Sequence, residues 1–223
     1  MLKQFQDAIA SGDIQGIITS TLGQIILVAI ALILLIAVVA LGSRSRSMKT
    51  KELVYSAIAI AIAVALSYVK LVTLPQGGSI TLFSMLFIAV IGYWFGTVQG
   101  IICGMTYGLL QLALGGWVMH PIQLLLDYPL AFGMLGFAGL MRNTPNGLMK
   151  GLILGAFGRF LCHFIAGVVF FQSYAIDLGF DPVPYSIGYN LAYIAGEIFL
   201  TLIILMVPQV TDVFKQLKKM ALS

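Results

Sequence analysis

Apolar and polar positions along this chain sort into long blocks rather than alternating residue by residue. Seven mostly apolar blocks are separated by short stretches rich in Gly, Pro, Ser, Lys and Arg. Each block is close to the ~20 residues that a helix needs to cross a bilayer. The blocks predict helices over about 18–42, 52–71, 80–96, 97–114, 122–141, 149–172 and 184–208. The expected fold class is an all-α integral membrane protein. An extra N-terminal transmembrane helix and a basic linker would occupy 1–51, and a six-helix membrane domain 52–223.

Composition supports this reading. The chain is 60% hydrophobic and 9% charged, too few polar residues to cover the surface of a water-soluble domain. Lipid can face those side chains instead. The net charge of +4 comes from basic residues that flank the apolar blocks. There they act as topology signals, and no nucleic-acid partner is implied. The linker with Arg44, Arg46, Lys49 and Lys51, the connection near Arg142 and Lys150, and the tail with Lys215, Lys218 and Lys219 are expected on the cytoplasmic side. That puts the N-terminus outside and the C-terminus in the cytoplasm. It also puts the connections at 74–79, 115–121 and 172–184 outside. A cleaved signal peptide fits the first block poorly, because the block starts late, runs long and has no small-residue cleavage site after it. Cys103 and Cys162 both fall in apolar blocks and are expected as buried free thiols.

Ionisable and amide groups inside apolar spans are costly and so point to function. Five stand out: Asp127, Arg159, His163, Asn190 and Glu197. Counted at about 1.5 Å per residue, Asp127, His163 and Asn190 lie at one level in the outer half. Arg159 and Glu197 lie deeper. The outer group, with Trp117, Tyr128, Phe171 and Tyr185 around it, reads as a ligand site or as interhelical hydrogen bonds under an aromatic belt. His163, Gly167 and Phe171 share one helix face by their i, i+4, i+8 spacing. Gly167 would let a flat ligand approach the backbone. A carboxylate among aromatic faces suits a cationic or electron-poor ring. The deeper pair, Arg159 and Glu197, is expected as a buried ion pair. "LPQGGS" at 74–79 is either a lid over the outer site or an ordinary turn. Ala57, Ala61 and Ala65, with Ala59 and Ala63 between them, give the small-xxx-small spacing of close helix packing in lipid.

No G-x-x-x-x-G-K-[ST], H-E-x-x-H or G-x-S-x-G run is present. Nothing nominates an ATP site, a metal site or a catalytic nucleophile in this chain, so an enzyme is disfavoured and no cofactor is expected.

"PQGGS", "LLLDYPLAFGMLGFAG", "HFIAGVVFFQSYA" and "YSIGYN" occur in that order. Together they resemble the ThiT/YuaJ family, the thiamine-specific substrate-binding subunits (S components) of energy-coupling factor transporters. The resemblance covers about 52–208. It implies a six-helix S-component bundle that binds thiamine near the outer surface, with Trp117, Asp127, Tyr128, His163, Gly167, Phe171, Tyr185 and Asn190 as site residues. Asp127 would balance the thiazolium charge or accept from the ring amino group. His163, Tyr185 and Asn190 would hydrogen-bond the ligand's polar atoms, and Trp117, Tyr128 and Phe171 would supply apolar walls. The resemblance also implies a transmembrane coupling subunit and two ATPases as partners, with the Ala57, Ala61, Ala65 ladder as docking face. This chain has Asp127 where some members have Glu, Phe171 where some have Trp, and "GGS" where some carry a Trp in the first loop. The rival readings are an S component for another vitamin or thiamine precursor, a stand-alone secondary transporter, and a non-transport structural subunit.

Overall fold

Helix starts are written locally in this chain. Asp181 accepts the N–H of Val183 at 2.9 Å with Pro182 next to it, and His120 accepts the N–H of Ile122 at 3.1 Å with Pro121 next to it. Both are N-caps followed by proline at the first helical position, where a missing N–H costs nothing. In the computed structural model, residues 2–11, 13, 16, 17, 20–23, 25, 26, 29 and 49–223 are described. They form α1 (Leu2–Ser11), α2 (Thr50–Ser67), β1 (Lys70–Thr73), β2 (Ser79–Thr81), α3 (Ser84–Phe95), α4 (Thr97–Ala113), α5 (Pro121–Met141), α6 (Gly147–Phe170), α7 (Gln172–Asp177), α8 (Pro182–Leu205) and α9 (Pro208–Leu222). Most of the helix expected over 18–42 and most of its linker lie outside the described residues.

Among the described residues, four helices, α2, α5, α6 and α8, are long and apolar enough to cross a membrane. α3 and α4, with 12 and 17 residues, are shorter. Each of the six segments expected to be helical after residue 51 contains a helix; the expected outer connection over 172–184 also holds the short α7, and there are two further differences. The run 68–83 is not α-helical. It makes an antiparallel hairpin that pairs Val72 with Ile80 and Thr73 with Ser79. β-branched Val72, Thr73, Ile80 and Thr81 favour extended backbone, and the turn between them needs a left-handed Gln76 (φ 62°) and Gly77 (φ 91°). The second difference is the tail, which forms the amphipathic α9. Its Val210, Phe214 and Leu217 pack on the core, while Lys218 sits 3.8 Å over the Tyr93 ring and donates to the carbonyl of Arg142 at 3.0 Å.

Helix packing rests on missing side chains in α4. A Cβ at Gly104 would come within 2.1 Å of the Phe132 carbonyl, and one at Gly108 within 2.4 Å of the Tyr128 carbonyl. Gly100 faces Gly92 and Gly136 in the same way. Gly100, Gly104 and Gly108 recur every four residues, so one face of α4 lies backbone to backbone on α5. α5 itself is irregular. A π-helical turn runs from Leu126 to Leu130 and holds Asp127, Tyr128 and Pro129. Pro129 has no N–H for the preceding turn, and the wider turn accommodates that loss. The alanines of α2 divide: Ala59 and Ala63 are buried in the core, while Ala57, Ala61 and Ala65 face outward.

Candidate functional site

A cavity of about 250 Å³ opens among α4, α5, α6, α8 and the hairpin. That is room for a small molecule rather than a peptide. Trp117, Asp127, Tyr128, His163, Gly167, Phe171, Tyr185 and Asn190 all line it. Arg159 and Glu197 line it too, so the two levels read from the sequence face a single cavity.

The centre is a hydrogen-bonded chain across α5 and α6. Asp127 Oδ1 lies 2.9 Å from His163 Nδ1, and Asp127 Oδ2 accepts from Gln123 Nε2 at 2.6 Å. Arg159 donates its Nε–H to His163 Nε2 at 3.2 Å. Gln123 also donates to the carbonyl of Trp117 at 3.1 Å and accepts from the N–H of Met119 at 3.0 Å. It thereby ties the 115–121 loop to the acid. Tyr128 holds the same loop, because its hydroxyl accepts the N–H of Trp117 at 2.6 Å.

The expected ion pair between Arg159 and Glu197 does not form. Glu197 Oε2 accepts the N–H of Thr81 at 3.0 Å and the Thr81 hydroxyl at 2.6 Å, while Oε1 accepts the Ser84 hydroxyl and the N–H of Met85, each at 3.0 Å. The first turn of α3 offers free N–H groups and the positive end of its dipole, so the carboxylate is fully engaged there. The Arg159 guanidinium lies 4.2 Å from the Phe132 ring centre instead.

Two other site residues have a packing role besides their place on the wall. Gly167 makes room for α8: a Cβ there would meet Ser186 Oγ at 2.1 Å. Asn190 Nδ2 donates to the Ser186 carbonyl at 2.8 Å, and its Oδ1 accepts from Tyr193 at 2.9 Å. Phe171 ends α6 and stacks on Tyr174 with ring centres 6.2 Å apart.

An aromatic ladder climbs α8 along the cavity. Tyr185 and Tyr189 stack at 6.1 Å, Tyr189 and Tyr193 meet edge-on at 5.7 Å, and Tyr193 lies 6.0 Å from the His163 ring. The upper rungs hold the hairpin turn. Tyr189 accepts the N–H of Gly78 at 2.9 Å and donates to the Pro75 carbonyl, and Tyr185 donates to Gln76 Oε1 at 3.2 Å. The "LPQGGS" turn lies on the cavity rim, hydrogen-bonded to α8.

The family model for the thiamine transporter protein (Thia_YuaJ) matches residues 53–216. The chain belongs to this family. The thiamine transporter ThiT of Bacillus subtilis (strain 168) is 34% identical over 148 residues, covering 60% of this chain and 76% of that protein. ThiT of Lacticaseibacillus paracasei is 37% identical over 105 residues, covering 40% of this chain and 52% of its own length. A solved structure of ThiT from Listeria monocytogenes superposes with a TM-score of 0.61 at 27% identity, covering 71% of this chain and 96% of the other. As a member of the thiamine transporter family, this chain is a multi-pass membrane transport protein. Its cavity contains groups that the sequence did not single out, notably Gln123, Tyr189 and Tyr193. The tyrosines were detectable, since 185, 189 and 193 share a helix face by spacing alone. Gln123 was not, because a lone glutamine near a helix start has no pattern.

Proposed function

We propose that this chain is a thiamine-capturing S component of an energy-coupling factor importer. The observation that carries the reading is Asp127: a carboxylate held at a cavity wall by His163 and Gln123, with aromatic rings around it. Such a wall attracts a flat cation. Asp127 would face the charged or amino-bearing part of thiamine, with Trp117, Tyr128, Phe171 and Tyr185 as ring walls and His163 orienting the carboxylate. Gly167 and Asn190 would set the spacing of α6 and α8 around the ligand.

The six helices from α2 to α8, with the short α7 set aside, would form the S-component bundle, and the segment over 18–42 an additional transmembrane helix. The N-terminus would lie outside and the C-terminus in the cytoplasm. The outward-facing Ala57, Ala61 and Ala65 would receive a transmembrane coupling subunit that works with two ATPases.

The test is thiamine binding to the purified chain alone, by calorimetry and by quenching of Trp117. Trp117 is 48% exposed at the cavity, whereas Trp94 is 5% exposed in the core, so the signal reports the site. Binding by the wild type, lost in Asp127→Ala and His163→Ala with the fold intact, supports the reading. A folded wild-type protein that binds neither thiamine nor its pyrimidine fragment rules it out.

A further inference from the structure

An arginine in the wall of a cavity for a cation needs a reason. Glu197 does not supply it, because four donors from Thr81, Ser84 and Met85 occupy its oxygens. The contacts of Arg159 are the Phe132 ring face and His163 Nε2. A guanidinium is always protonated and has no lone pair to offer. The nitrogen that receives its N–H must therefore present a lone pair. His163 then has a single ring proton, and that proton is on Nδ1, 2.9 Å from Asp127 Oδ1.

We infer that Arg159 is a positioning residue for ligand charge: it holds His163 as the neutral Nδ1–H imidazole, so that the positive charge offsetting Asp127 stays one ring away from the carboxylate. Without that donor, Nε2 is free to take a second proton. The imidazolium would then form a contact ion pair with Asp127, and the carboxylate would be cancelled where the ligand must meet it. Arg159 supplies the same unit of charge, but on the far side of the imidazole and against Phe132. The Asp127 end of the chain stays negative, and the buried acid is still compensated. The other ionisable groups around the cavity do not substitute. The lining tyrosines, Lys70 and Glu197 make no hydrogen bond to either ring nitrogen of His163, and Tyr193 meets the ring edge-on. This inference rests on the thiamine reading for its purpose but not for its first readout.

The chain contains only two histidines, His120 and His163, so the ring can be read directly. Full-length protein with ¹⁵N-labelled histidine is placed in micelles at neutral pH, and His120→Gln assigns the signals. The expected wild-type spectrum shows His163 with one protonated and one lone-pair nitrogen, the proton on Nδ1. Arg159→Met, which keeps length but removes the donor, gives an imidazolium or a mixture of tautomers and weakens thiamine binding by about tenfold or more, the scale of one charge-assisted contact. Arg159→Lys, which keeps a cationic donor, restores both readouts. A wild-type His163 protonated on Nε2 overturns the inference even if no variant folds. So does an Arg159→Met spectrum identical to wild type, or a failure of Arg159→Lys to restore it. Absence of thiamine binding in every form, with the ring signals as expected, counts against the thiamine reading alone.

Discussion

The carboxylate of Glu197 accepts both the hydroxyl of Thr81, at 2.6 Å, and its backbone N–H, at 3.0 Å. With Ser84 and Met85 on the other oxygen, this acid in the middle of α8 caps the start of α3 and anchors the base of the hairpin. Glu197→Gln replaces one acceptor oxygen by an NH₂ group that faces donors. Leaving buried donors unsatisfied costs roughly 1–3 kcal/mol. The expected outcome is a lower melting temperature in detergent and faster proteolysis within 68–83. An unchanged melting temperature would show that the carboxylate does not hold this junction.

The rim is held more lightly. Tyr189→Phe removes one acceptor for Gly78 N–H and one donor to the Pro75 carbonyl. It leaves the ring stacking of the α8 ladder in place. Two hydrogen bonds at about 1 kcal/mol each translate into a ligand dissociation rate faster by up to roughly thirtyfold, with little change in melting temperature. Stopped-flow displacement of thiamine followed at Trp117 measures it. An unchanged dissociation rate would mean that the hairpin does not gate the cavity.

Glycines in this chain should differ sharply in tolerance. Gly104→Val places atoms where the Phe132 carbonyl already sits 2.1 Å from the Cβ position, so α4 and α5 must separate. Loss of a monodisperse peak on size exclusion is expected. Gly188→Ala on α8 meets nothing within 4 Å and removes the backbone entropy of a mid-helix glycine, worth roughly 0.5–1 kcal/mol. Its melting temperature should be equal to or above that of the wild type. Equal tolerance at both positions would contradict the backbone contact in α4.

Docking can be separated from binding. Ala57, Ala61 and Ala65 face outward, whereas Ala59 and Ala63 are buried. Changing the outer three to Leu should leave the melting temperature and thiamine binding unchanged, because no core contact is altered. Co-purification with a coupling subunit and its ATPases should be lost. A triple variant that still assembles would remove this face from the proposed interface.

Much of the architecture is legible in the sequence, because lipid imposes simple rules. A span must be apolar over its length, so α2 to α6 and α8 show in the apolar blocks with end errors of a few residues, whereas the short α7 falls in an expected connection. A polar group in such a span is expensive, so Asp127, His163 and Asn190 stood out by type and level, and all line the cavity. The spacing 185, 189, 193 on α8 and the spacing 100, 104, 108 on α4 were equally available. Both carry consequences that composition alone did not rank.

Partner choice was not legible. The sequence placed Arg159 and Glu197 at one depth, and opposite charges at one depth suggest a pair. Which groups meet depends on how helices are rotated and how closely they approach, and Glu197 finds its donors 116 residues away, in Thr81. The glycine face of α4 brings α5 in close, the π-helical turn at Pro129 sets the orientation of Asp127, and the hairpin delivers Thr81 to α8. The sequence by itself determined which residues the membrane would force together into a polar interior, because the cost of leaving any of them in lipid is local to each residue. Only the tertiary structure decided that His163 would stand between Asp127 and Arg159, because that arrangement depends on distances between helices that no local pattern encodes.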